Sequence, residues 1–465
     1  MGRLVIASNR TAVPGQPRAG GLAVALADAL TERGGGAWFG WSGEVVNQEA
    51  TGVRTIREAD IEFALADLTR AECDGYYHGF ANKSLWPVFH YRIDLAAFDE
   101  SDFQTYEAVN RRFGRLLAHE TRPGDTVWVH DYHFLLLGEE MRAAGWEGPL
   151  GFFLHIPFPA PEVLMAVPQH QALVRGLCAF DLVGFQAERD VANFRRYLVE
   201  QAGGELLDDG RLFAFGRVLE AAAFPIGTDP DDIKRLAEGE EGRDAATRLA
   251  RTIADRALVI GVDRMDYSKG LPNRMEAFGR LLDEHAELHN KVSFVQIAPP
   301  SREAVEAYQA LRTELDRLAG QINGDYADLD WTPIRYLARS YSRGALAGIY
   351  RLARVGLVTP LYDGMNLVAK EFVAAQEPDD PGVLVLSEFA GAAEQMREAI
   401  LVNPHDIGGM ASAVHDALEM PVEERRERWE ILRRGIAEQS IAWWRRGFLD
   451  ALDASFARKA REEGA

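Results

Sequence analysis

Short apolar segments alternate with longer amphipathic segments along the whole chain. Residues 105–119 and 186–203 carry apolar side chains at every third or fourth position, a spacing that predicts amphipathic helices. The apolar segments that separate such helices predict buried strands. In the first half of the chain these segments are residues 4–7, 126–130, 150–155, 181–185 and 219–227.

A second series of apolar segments follows residues 229–254, an acidic, helix-prone stretch that we interpret as a connection. The second series comprises residues 257–264, 292–298, 332–337, 355–360, 382–387 and 399–404. Continuous apolar strands separated by helices are typical of a parallel sheet covered on both faces. The sequence therefore predicts an α/β protein with two Rossmann-like, doubly wound parallel-sheet domains and a boundary near Gly227. Ligands of such sheets bind at the carboxyl ends of the strands, so we expect a site in a central cleft that the two domains face.

Charge and composition narrow the class of protein. The 465 residues include 51 Lys plus Arg and 71 Asp plus Glu, which gives a formal net charge of −20. Such a charge repels nucleic acid and anionic membranes, so we expect neither as a partner. Two cysteines make no disulfide framework, no apolar stretch reaches the about 18 residues that cross a membrane, and the first residues lack a signal-peptide pattern. We therefore expect a soluble, cytoplasmic enzyme.

Arginine is strongly preferred over lysine, with only six lysines in the chain. A GC-rich genome explains such a preference. A lysine that is retained in this background is a candidate for a role that needs a compact point charge instead of a planar guanidinium.

Gly20 and Gly21 follow a Pro/Gly-rich loop and precede a helical pattern, ALADAL. Two glycines at this place let the backbone approach an anion at the positive end of a helix. The pair is weak evidence by itself, because a plain loop-to-helix turn uses glycines in the same way.

Arg264 and Lys269 lie in the segment DRMDYSKG, directly after an apolar strand. They should therefore project from the carboxyl end of that strand. Two cations five residues apart around a tight turn can neutralise a diphosphate leaving group. The alternative is a pair of solvated surface cations.

The segment TPLYDGMNLVAKE, residues 359–371, ends a strand, turns at Gly364 and predicts a helix that starts near Asn366. The N–H groups at the start of a helix suit a phosphate. Asp363 can accept hydrogen bonds from sugar hydroxyls, and Glu371 can accept them from a ribose. Asp363 and Asn366 are also residue types that routinely cap helices, and the two roles are compatible.

Histidines follow two of the predicted strands, with His130 and His133 in WVHDYH and His155 in FLHIPFP. Polar residues at neighbouring strand ends are candidates for a site, although an isolated histidine is more often structural. The two segments lack the helical HxxxH spacing, so the sequence predicts no metal site.

Arg10, after the first strand, and Arg302, after the strand that ends near Ala298, are candidate phosphate forks. Tyr76-Tyr77 and Trp86 can line an acceptor pocket or pack in the core. The chain contains no GxSxG, Walker A or CxxC motif, which argues against the hydrolase, P-loop and thiol-redox classes.

Taken in order, these segments resemble the retaining glycosyltransferase family of trehalose-6-phosphate synthases (α,α-trehalose-phosphate synthases). The matching segments cover nearly the whole chain. They are SNR (8–10), AGGLAV (19–24), WFGWSGE (38–44), YY (76–77), LWPVFHYR (85–92), VHDYH (129–133), GFFLHIPFP (151–159), DLVGFQ (181–186), PIG (225–227), DRMDYSKG (263–270), QIAPPSR (296–302) and DGMNLVAKE (363–371).

The resemblance implies a GT-B fold with an acceptor-binding domain, residues 1–228, and a nucleotide-sugar-binding domain, residues 229–440. The last helix, 441–465, would cross back to the first domain. The implied reaction moves glucose from UDP-glucose, or from ADP- or GDP-glucose, to glucose 6-phosphate with retention. The product would be α,α-trehalose 6-phosphate.

The same motifs imply a role for each matching residue on the donor side. Arg264 and Lys269 would bind the donor diphosphate with help from the Gly20 and Gly21 backbone. Tyr341 would contact the base, Asp363 the donor sugar and Glu371 the ribose. The remaining donor-binding residues would be Gly364, Met365, Asn366, Leu367, Val368, Ala369 and Lys370.

On the acceptor side, the resemblance implies that glucose 6-phosphate is held by Arg10, Tyr77, Asp131 and Arg302. Trp86 would shape anomer selection, and His155 would polarise or orient the reacting sugar. The catalytic residues would be His155, Asp131, Arg264 and Lys269.

The resemblance also implies the kind of catalysis. No carboxylate is obviously placed as a nucleophile, so the resemblance favours front-face transfer in which the leaving diphosphate helps to deprotonate the acceptor. Catalysis would rest on positioning and charge neutralisation, with no cofactor and no catalytic metal.

One residue departs from the family pattern, because Tyr362 stands where an arginine is expected. The loss of a cation near the donor loop could alter donor preference or affinity.

Two alternative functions stay open: a sister enzyme that uses glycerol 3-phosphate, and a non-catalytic sugar-phosphate sensor. The first would differ in the acceptor pocket, and the second should have lost site residues that this chain keeps. We expect a homo-oligomer, a dimer or a tetramer; the donor base, allosteric regulation and stimulation by a divalent ion are left open by the sequence.

Overall fold

The computed structural model describes residues 2–11, 21–47, 52–301 and 306–463. The chain divides into two compact units. The first unit combines Met1–Pro225 with Trp444–Ala465, and the second unit is Ile226–Trp443. In the described parts of the chain, no helix is both long and apolar enough to cross a membrane.

The described residues of the first unit form a ten-stranded sheet in the order β3-β4-β2-β1-β5-β6-β7-β10-β9-β8. Neighbouring strands from β4 to β10 in this order are parallel, and the pairs β3–β4, β9–β10 and β8–β9 are antiparallel. The central strands are buried along most of their length, which explains their continuous apolar sequences. The strands are β1 (Leu4–Arg10), β2 (Gly36–Val46), β3 (Val53–Glu58), β4 (Ile61–Thr69), β5 (Thr126–His130), β6 (Leu150–Phe153), β7 (Leu182–Phe185), β8 (Glu205–Leu206), β9 (Leu212–Ala214) and β10 (Arg217–Ala223).

Helices connect these strands and cover the sheet. They are α1 (Gly21–Glu32), α2 (Arg70–Glu72), α3 (Trp86–Phe89), α4 (Glu100–Glu120), α5 (Leu137–Ala143), α6 (Pro161–Leu164), α7 (His170–Leu177) and α8 (Glu188–Gln201). Between α2 and α3, the segment Cys73–Leu85 continues as a π-helix. Short 3₁₀ turns occupy Ile93–Leu95 and Tyr132–Phe134.

The second unit contains a six-stranded sheet, all parallel, in the order β13-β12-β11-β14-β15-β16 within the described residues. Its strands are β11 (Ala257–Val262), β12 (Val292–Ile297), β13 (Ile334–Leu337), β14 (Val355–Val358), β15 (Val383–Ser387) and β16 (Ile400–Val402). Its helices are α9 (Pro230–Glu238), α10 (Glu240–Ile253), α11 (Leu271–Glu284), α12 (Glu306–Tyr326), α13 (Arg343–Leu352), α14 (Leu367–Ala375), α15 (Ile407–Glu419) and α16 (Val422–Glu438). Short 3₁₀ turns lie at Tyr267–Lys269, Ala286–Leu288 and Gly391–Glu394.

The acidic stretch 229–254 is helical, but its interpretation as a connection is wrong. It forms α9 and α10, which pack against α13 inside the second unit. The contact between α10 and α13 is close, because a Cβ on Gly348 would lie 2.0 Å from the carbonyl oxygen of Gly242. The stretch is therefore part of the second unit, where it packs on other helices of that unit.

The last helix, α17 (Ile441–Glu463), packs on the first unit from Trp444 onward. The rings of Trp444 and Phe448 lie 5.0 and 4.8 Å from the ring of Trp128 on β5. Glycines on the next two strands make room for Phe448, since a Cβ on Gly151 or Gly184 would lie 2.9 or 2.7 Å from its ring. The helix is thus built into the face of the first sheet.

Candidate active site

Two turns of the second unit follow buried strands and approach each other. After β11, Asp266 holds the turn Tyr267–Lys269, because its Oδ1 accepts hydrogen bonds from the Ser268 amide at 3.0 Å and from its hydroxyl at 2.9 Å. Gly270 then begins α11 with a φ of +63°, and a Cβ there would lie 2.5 Å from the carbonyl oxygen of Thr359. Only glycine fits this close approach, which brings the turn against the end of β14.

Lys269 and Asp363 meet at this place. The Lys269 ammonium donates to Asp363 Oδ2, and the two side chains are 10% and 13% exposed. Asn366 Nδ2 donates to the same carboxylate oxygen at 3.1 Å and reaches Asp263 Oδ1 at 3.4 Å. The predicted residues Lys269, Asp363 and Asn366 therefore form one cluster at the carboxyl ends of β11 and β14.

Asn366 occupies the N-cap position of α14 with a φ of +76°, but its side chain does not cap the helix. Within the described part of the chain, its buried Oδ1 accepts no hydrogen bond. The capping alternative for Asn366 is therefore wrong, since the amide is turned onto Asp363. The first N–H groups of α14 keep the positive end of the helix available to an anion.

The loop between Asp363 and α14 is held by backbone pairing. The Asp363 amide donates to the Phe389 carbonyl at 3.2 Å, and the amides of Gly391 and Ala392 donate to the carbonyls of Asp363 and Met365 at 3.1 and 2.9 Å. A Cβ on Gly391 would lie 1.8 Å from the carbonyl oxygen of Gly364. Backbone contacts with residues 389–392 thus hold the predicted donor loop, Asp363 to Asn366.

Arg274 lies underneath the cluster and was not found from the sequence. Its guanidinium is fully buried. Its acceptors are Asp263 Oδ2 at 2.9 Å, Gln296 Oε1 at 3.1 Å, Thr359 Oγ1 at 3.2 Å and the carbonyl oxygen of Lys269 at 3.2 Å. The available signal was Gly261 inside strand β11, where a Cβ would lie 2.8 Å from Arg274, because a glycine within a buried strand marks a close approach. Arg274 therefore ties three strand ends to the turn that carries Lys269.

Leu367 to Glu371 form the first turns of α14, and their side chains differ in burial. Lys370 is buried, and its ammonium donates to the carbonyl of Ile226 and to Gln395 Oε1, both at 2.7 Å. Burial raises the pKa of Glu371 to about 7, with Arg343 acting in the opposite direction. Val368 lies half-buried and Ala369 is fully buried. The Lys370 side chain is thus occupied inside the unit.

The remaining donor-side predictions have different outcomes. Arg264 follows β11 and is exposed. Tyr341 is half-buried; its hydroxyl accepts a hydrogen bond from Arg339 Nε at 2.8 Å, and the same guanidinium lies 4.7 Å from its ring centre. Gly21 begins α1, whereas Gly20 and Arg302 lie outside the described residues.

In the first unit, Asp131 and His155 come together after β5 and β6. Asp131 has a φ of +76° and a ψ of 166°, a backbone conformation that only glycine adopts readily. This conformation is held by the hydrogen bond from the Asp131 amide to the Phe153 carbonyl at 2.8 Å, while Asp131 Oδ1 accepts from the His155 amide at 3.3 Å. Backbone strain that persists at a strand end indicates a functional position.

The His155 ring is held between two side chains that sequence reasoning did not connect. Gln186 Nε2 lies 3.4 Å from His155 Nδ1, and His155 Nε2 lies 3.1 Å from Nδ1 of the buried His130. Burial lowers the pKa of His155 to about 3, and burial together with His155 lowers that of His130. Both rings are therefore neutral near pH 7.

Arg10 and Tyr77 both lie near the ring of Trp41. The Arg10 guanidinium is 5.7 Å from the centre of the Trp41 ring, and this ring is 5.6 Å from the ring of Tyr77. A Cβ on Gly43 would lie 2.5 Å from an Arg10 guanidinium nitrogen, so Gly43 leaves the space in which the guanidinium lies. Tyr77 also stacks on His133 at 5.9 Å. Trp41 and Gly43 belong to the motif WFGWSGE, but no feature of the sequence singled them out.

Trp86 is buried in the same unit, at the start of α3. Its ring lies 4.2 Å from His90 and 5.6 Å from Tyr132. Trp86 thus packs in the core, which is one of the two alternatives predicted for it.

Among the described residues, two groups of three potential metal ligands lie close together, Cys73 with Asp74 and His78, and His285 with Glu287 and His415. Neither group contains a residue of the predicted site. His130, His133 and His155 do not form such a group in the described part of the chain, and the absence of a catalytic metal stays a prediction.

Comparison with known proteins decides the family. The model of glycosyltransferase family 20 matches residues 6–454. The chain belongs to this family. It is therefore an enzyme, a glycosyltransferase, and the predicted resemblance to the trehalose-6-phosphate synthases and the α/β GT-B fold class are confirmed.

Relatives match over almost the full length of the chain. A trehalose-6-phosphate synthase of Sinorhizobium fredii is 47% identical over 459 residues, which cover 98% of this chain and 99% of the relative. The crystal structure of a UDP-forming α,α-trehalose-phosphate synthase from Burkholderia xenovorans, in complex with glucose 6-phosphate, is 49% identical with a TM-score of 0.93 and covers 97% of this chain and all of that one. An E. coli structure bound with UDP-2-fluoro glucose is 42% identical with a TM-score of 0.93, covering 97% and 98% of the two chains.

Tyr362 distinguishes this family member from the expected pattern. Its ring stacks on Phe389 at 5.9 Å with an interplanar angle of 12°, and the Phe389 ring lies 6.3 Å from His405. An aromatic contact thus stands where the resemblance led us to expect a cation. Phe389 also accepts the backbone hydrogen bond of Asp363, so the stack adjoins the donor loop.

Proposed function

We propose that this glycosyltransferase moves glucose from a nucleoside-diphosphate donor, UDP-glucose first among the candidates, to glucose 6-phosphate and forms α,α-trehalose 6-phosphate with retention. The observation that carries the proposal is the cluster of Lys269, Asp363 and Asn366 at the strand ends of the second unit. Relatives described as UDP-forming or as bound to glucose 6-phosphate and UDP-2-fluoro glucose support the choice of substrates.

On the donor side, the diphosphate binds Arg264 and Lys269. An ammonium has three N–H donors, and Asp363 uses one of those on Lys269, so a phosphate oxygen can be added without breaking the pair. The N–H groups at the start of α14 supply further positive charge. Asp363 and the buried, unpartnered Oδ1 of Asn366 accept hydrogen bonds from the glucose hydroxyls, Glu371 holds the ribose, and Tyr341 contacts the base.

On the acceptor side, Arg10, Tyr77 and Asp131 hold glucose 6-phosphate, together with Arg302, and Trp86 shapes the pocket from beneath. The Arg10 guanidinium binds the 6-phosphate because a planar fork pairs two phosphate oxygens. Asp131 accepts a hydrogen bond from an acceptor hydroxyl. Its strained backbone fixes the direction of that carboxylate before the acceptor arrives.

The reaction exchanges one bond at C1 of glucose for another on the same face. The bond from C1 to the diphosphate oxygen breaks, and the anomeric hydroxyl of glucose 6-phosphate forms the new bond. Its proton passes to the departing phosphate oxygen, and the nucleoside diphosphate is released. Lys269 and Arg264 stabilise the charge that develops on this leaving group.

His155 acts in this reaction by orientation. Its ring is neutral near pH 7, and both ring nitrogens already have partners in Gln186 and His130. We therefore assign the acceptor proton to the departing phosphate oxygen and not to His155. Its amide fixes the Asp131 carboxylate.

The experiment is a matrix of UDP-, ADP- and GDP-glucose against glucose 6-phosphate and glycerol 3-phosphate, with nucleotide release measured and the product identified by NMR. Release that depends on glucose 6-phosphate, with an α,α-1,1-linked product, is the expected result and names the donor. Turnover with glycerol 3-phosphate alone assigns the sister activity instead. A folded sample in which neither acceptor triggers release would overturn the transferase assignment in favour of a sensor.

We further propose a homo-oligomeric assembly, which sedimentation velocity of the same sample tests.

A further inference from the structure

Lys370 is a buried lysine in α14, the helix of the predicted donor-binding segment. It lies one turn after Asn366 on α14 and is 2% exposed. Its two hydrogen-bond partners, the Ile226 carbonyl and Gln395 Oε1, are both neutral and both 2.7 Å away. No carboxylate forms an ion pair with it among the described residues.

The Ile226 carbonyl belongs to a distinctive segment of the chain. The chain passes from the first unit to the second at Pro225–Ile226 and returns at Trp443–Trp444. We call residues 226–228 and 439–441 the connecting segments. They run side by side, because the Ile441 amide donates to the Thr228 carbonyl at 3.1 Å and a Cβ on Gly227 would lie 2.2 Å from the Gln439 carbonyl oxygen.

Gln395 extends the contact of Lys370 to the second of these segments. The Gln395 amide nitrogen donates to Gln439 Oε1, while its oxygen accepts from Lys370. One ammonium on α14 is thus joined directly to residues 226–228 and through one side chain to residues 439–441.

The free-energy cost of burying Lys370 indicates that its hydrogen bonds have a role. Burying an ammonium without a carboxylate partner is unfavourable, and burial lowers the pKa of Lys370 to about 7. A methionine of similar length would fill the same space without that cost. The lysine provides what methionine cannot, which is two directed hydrogen bonds from one atom. In a chain with only six lysines, it is also a retained compact charge.

We infer that Lys370 is a positioning residue that ties α14 to both connecting segments and thereby sets donor affinity. The inference rests on the proposed function, because it takes the start of α14 as part of the donor site. Lys370 does not touch the donor. It fixes the turn that presents the helix N–H groups, and it makes the placement of that turn depend on the connecting segments.

The test compares Lys370→Met with Lys234→Met, the same change at an exposed lysine of α9. The measurements are the Kd of UDP by isothermal titration, the KM values of donor and acceptor, and the urea midpoint. For Lys370→Met, we expect the UDP Kd and the donor KM to rise about tenfold, because residues that couple two elements contribute of that order. The KM of glucose 6-phosphate should stay within about twofold, and Lys234→Met should match the wild type.

A purely structural role would lower the urea midpoint and leave the donor KM of the folded protein unchanged, and that result would overturn the inference. If Lys370→Met does not fold, Gln395→Leu decides, since it keeps the bond to Ile226 and removes the link to Gln439. It should raise the UDP Kd about threefold, and an unchanged Kd overturns the inference. A wild-type chain that binds none of UDP, ADP and GDP overturns the proposed function first, and the inference with it.

Discussion

The pair of Lys269 and Asp363 is the feature whose removal should separate folding from catalysis. In Lys269→Met, the Asp363 carboxylate loses its charged partner but keeps the hydrogen bond from Asn366 at 3.1 Å. Breaking a fully buried pair costs about 3–5 kcal/mol. Because both side chains are still 10–13% exposed, we expect a loss of about 2 kcal/mol of unfolding free energy.

A double-mutant cycle with Asp363→Asn measures this interaction. The double variant has no unpaired charge. Its loss of unfolding free energy should therefore be about 1–2 kcal/mol smaller than the sum of the losses in the two single variants. Turnover should behave differently. Loss of the cation that stabilises the leaving diphosphate should lower kcat about 10²–10³-fold, and Asp363→Asn should not restore it.

Urea unfolding followed by fluorescence gives the stabilities, and nucleotide release gives kcat on the same samples. Lys291→Met is the matched control, because this lysine is exposed and directly precedes β12. Additive stabilities in the cycle would show that the pair contributes nothing to folding. A folded Lys269→Met with nearly wild-type turnover would refute the diphosphate role.

Three further predictions follow from single side chains. Arg274→Met should lower the unfolding free energy by about 3–5 kcal/mol, because it leaves Asp263 buried without its charged partner, and urea unfolding measures the loss. Asp131→Gly should leave stability unchanged or raise it by about 1 kcal/mol through relief of backbone strain, while the acceptor KM rises sharply; a large loss of stability would contradict the strain argument. With a Glu371 pKa of about 7, the donor KM should fall as the pH rises from 6 to 8, and Glu371→Gln should flatten this profile. The same raised pKa makes the contribution of Glu371 to stability present below its usual value of 4.5 and lost as the pH rises through 7, because the folded state holds the proton more tightly.

Strand ends could be predicted from the sequence because buried parallel strands are continuous apolar segments, and polar residues that follow them must lie at one edge of the sheet. This argument placed Lys269 and Asp363 each at the carboxyl end of a strand, and the structure shows that the two side chains pair. The partners of a side chain are a different matter. Nothing in the spacing of LVAKE says that Lys370 turns inward while Glu371 stays partly exposed, since the choice depends on residues 226 and 395.

Other features left little or no local signal. The π-helix Cys73–Leu85 has no residue pattern of its own, and only the packed structure reveals it. Strand β3 is largely exposed, so its residues do not form an apolar segment. Arg274 reads as an ordinary surface arginine of an amphipathic helix. A buried guanidinium is determined by its acceptors, and three of the four come from other parts of the chain.

The placement of α17 has a consequence for synthesis on the ribosome. The second unit is one continuous stretch, Ile226–Trp443, so its whole sequence has been translated before Trp444 is added. The first unit begins earlier in the chain, but it lacks α17 until Trp444 and the following residues are added. Until that point, Phe448 does not cover the sheet surface at Gly151 and Gly184. Domains usually mature in the order in which they are translated. Here the first unit is completed last, because one face of its sheet lacks its helix until the residues from Trp444 onward have been translated.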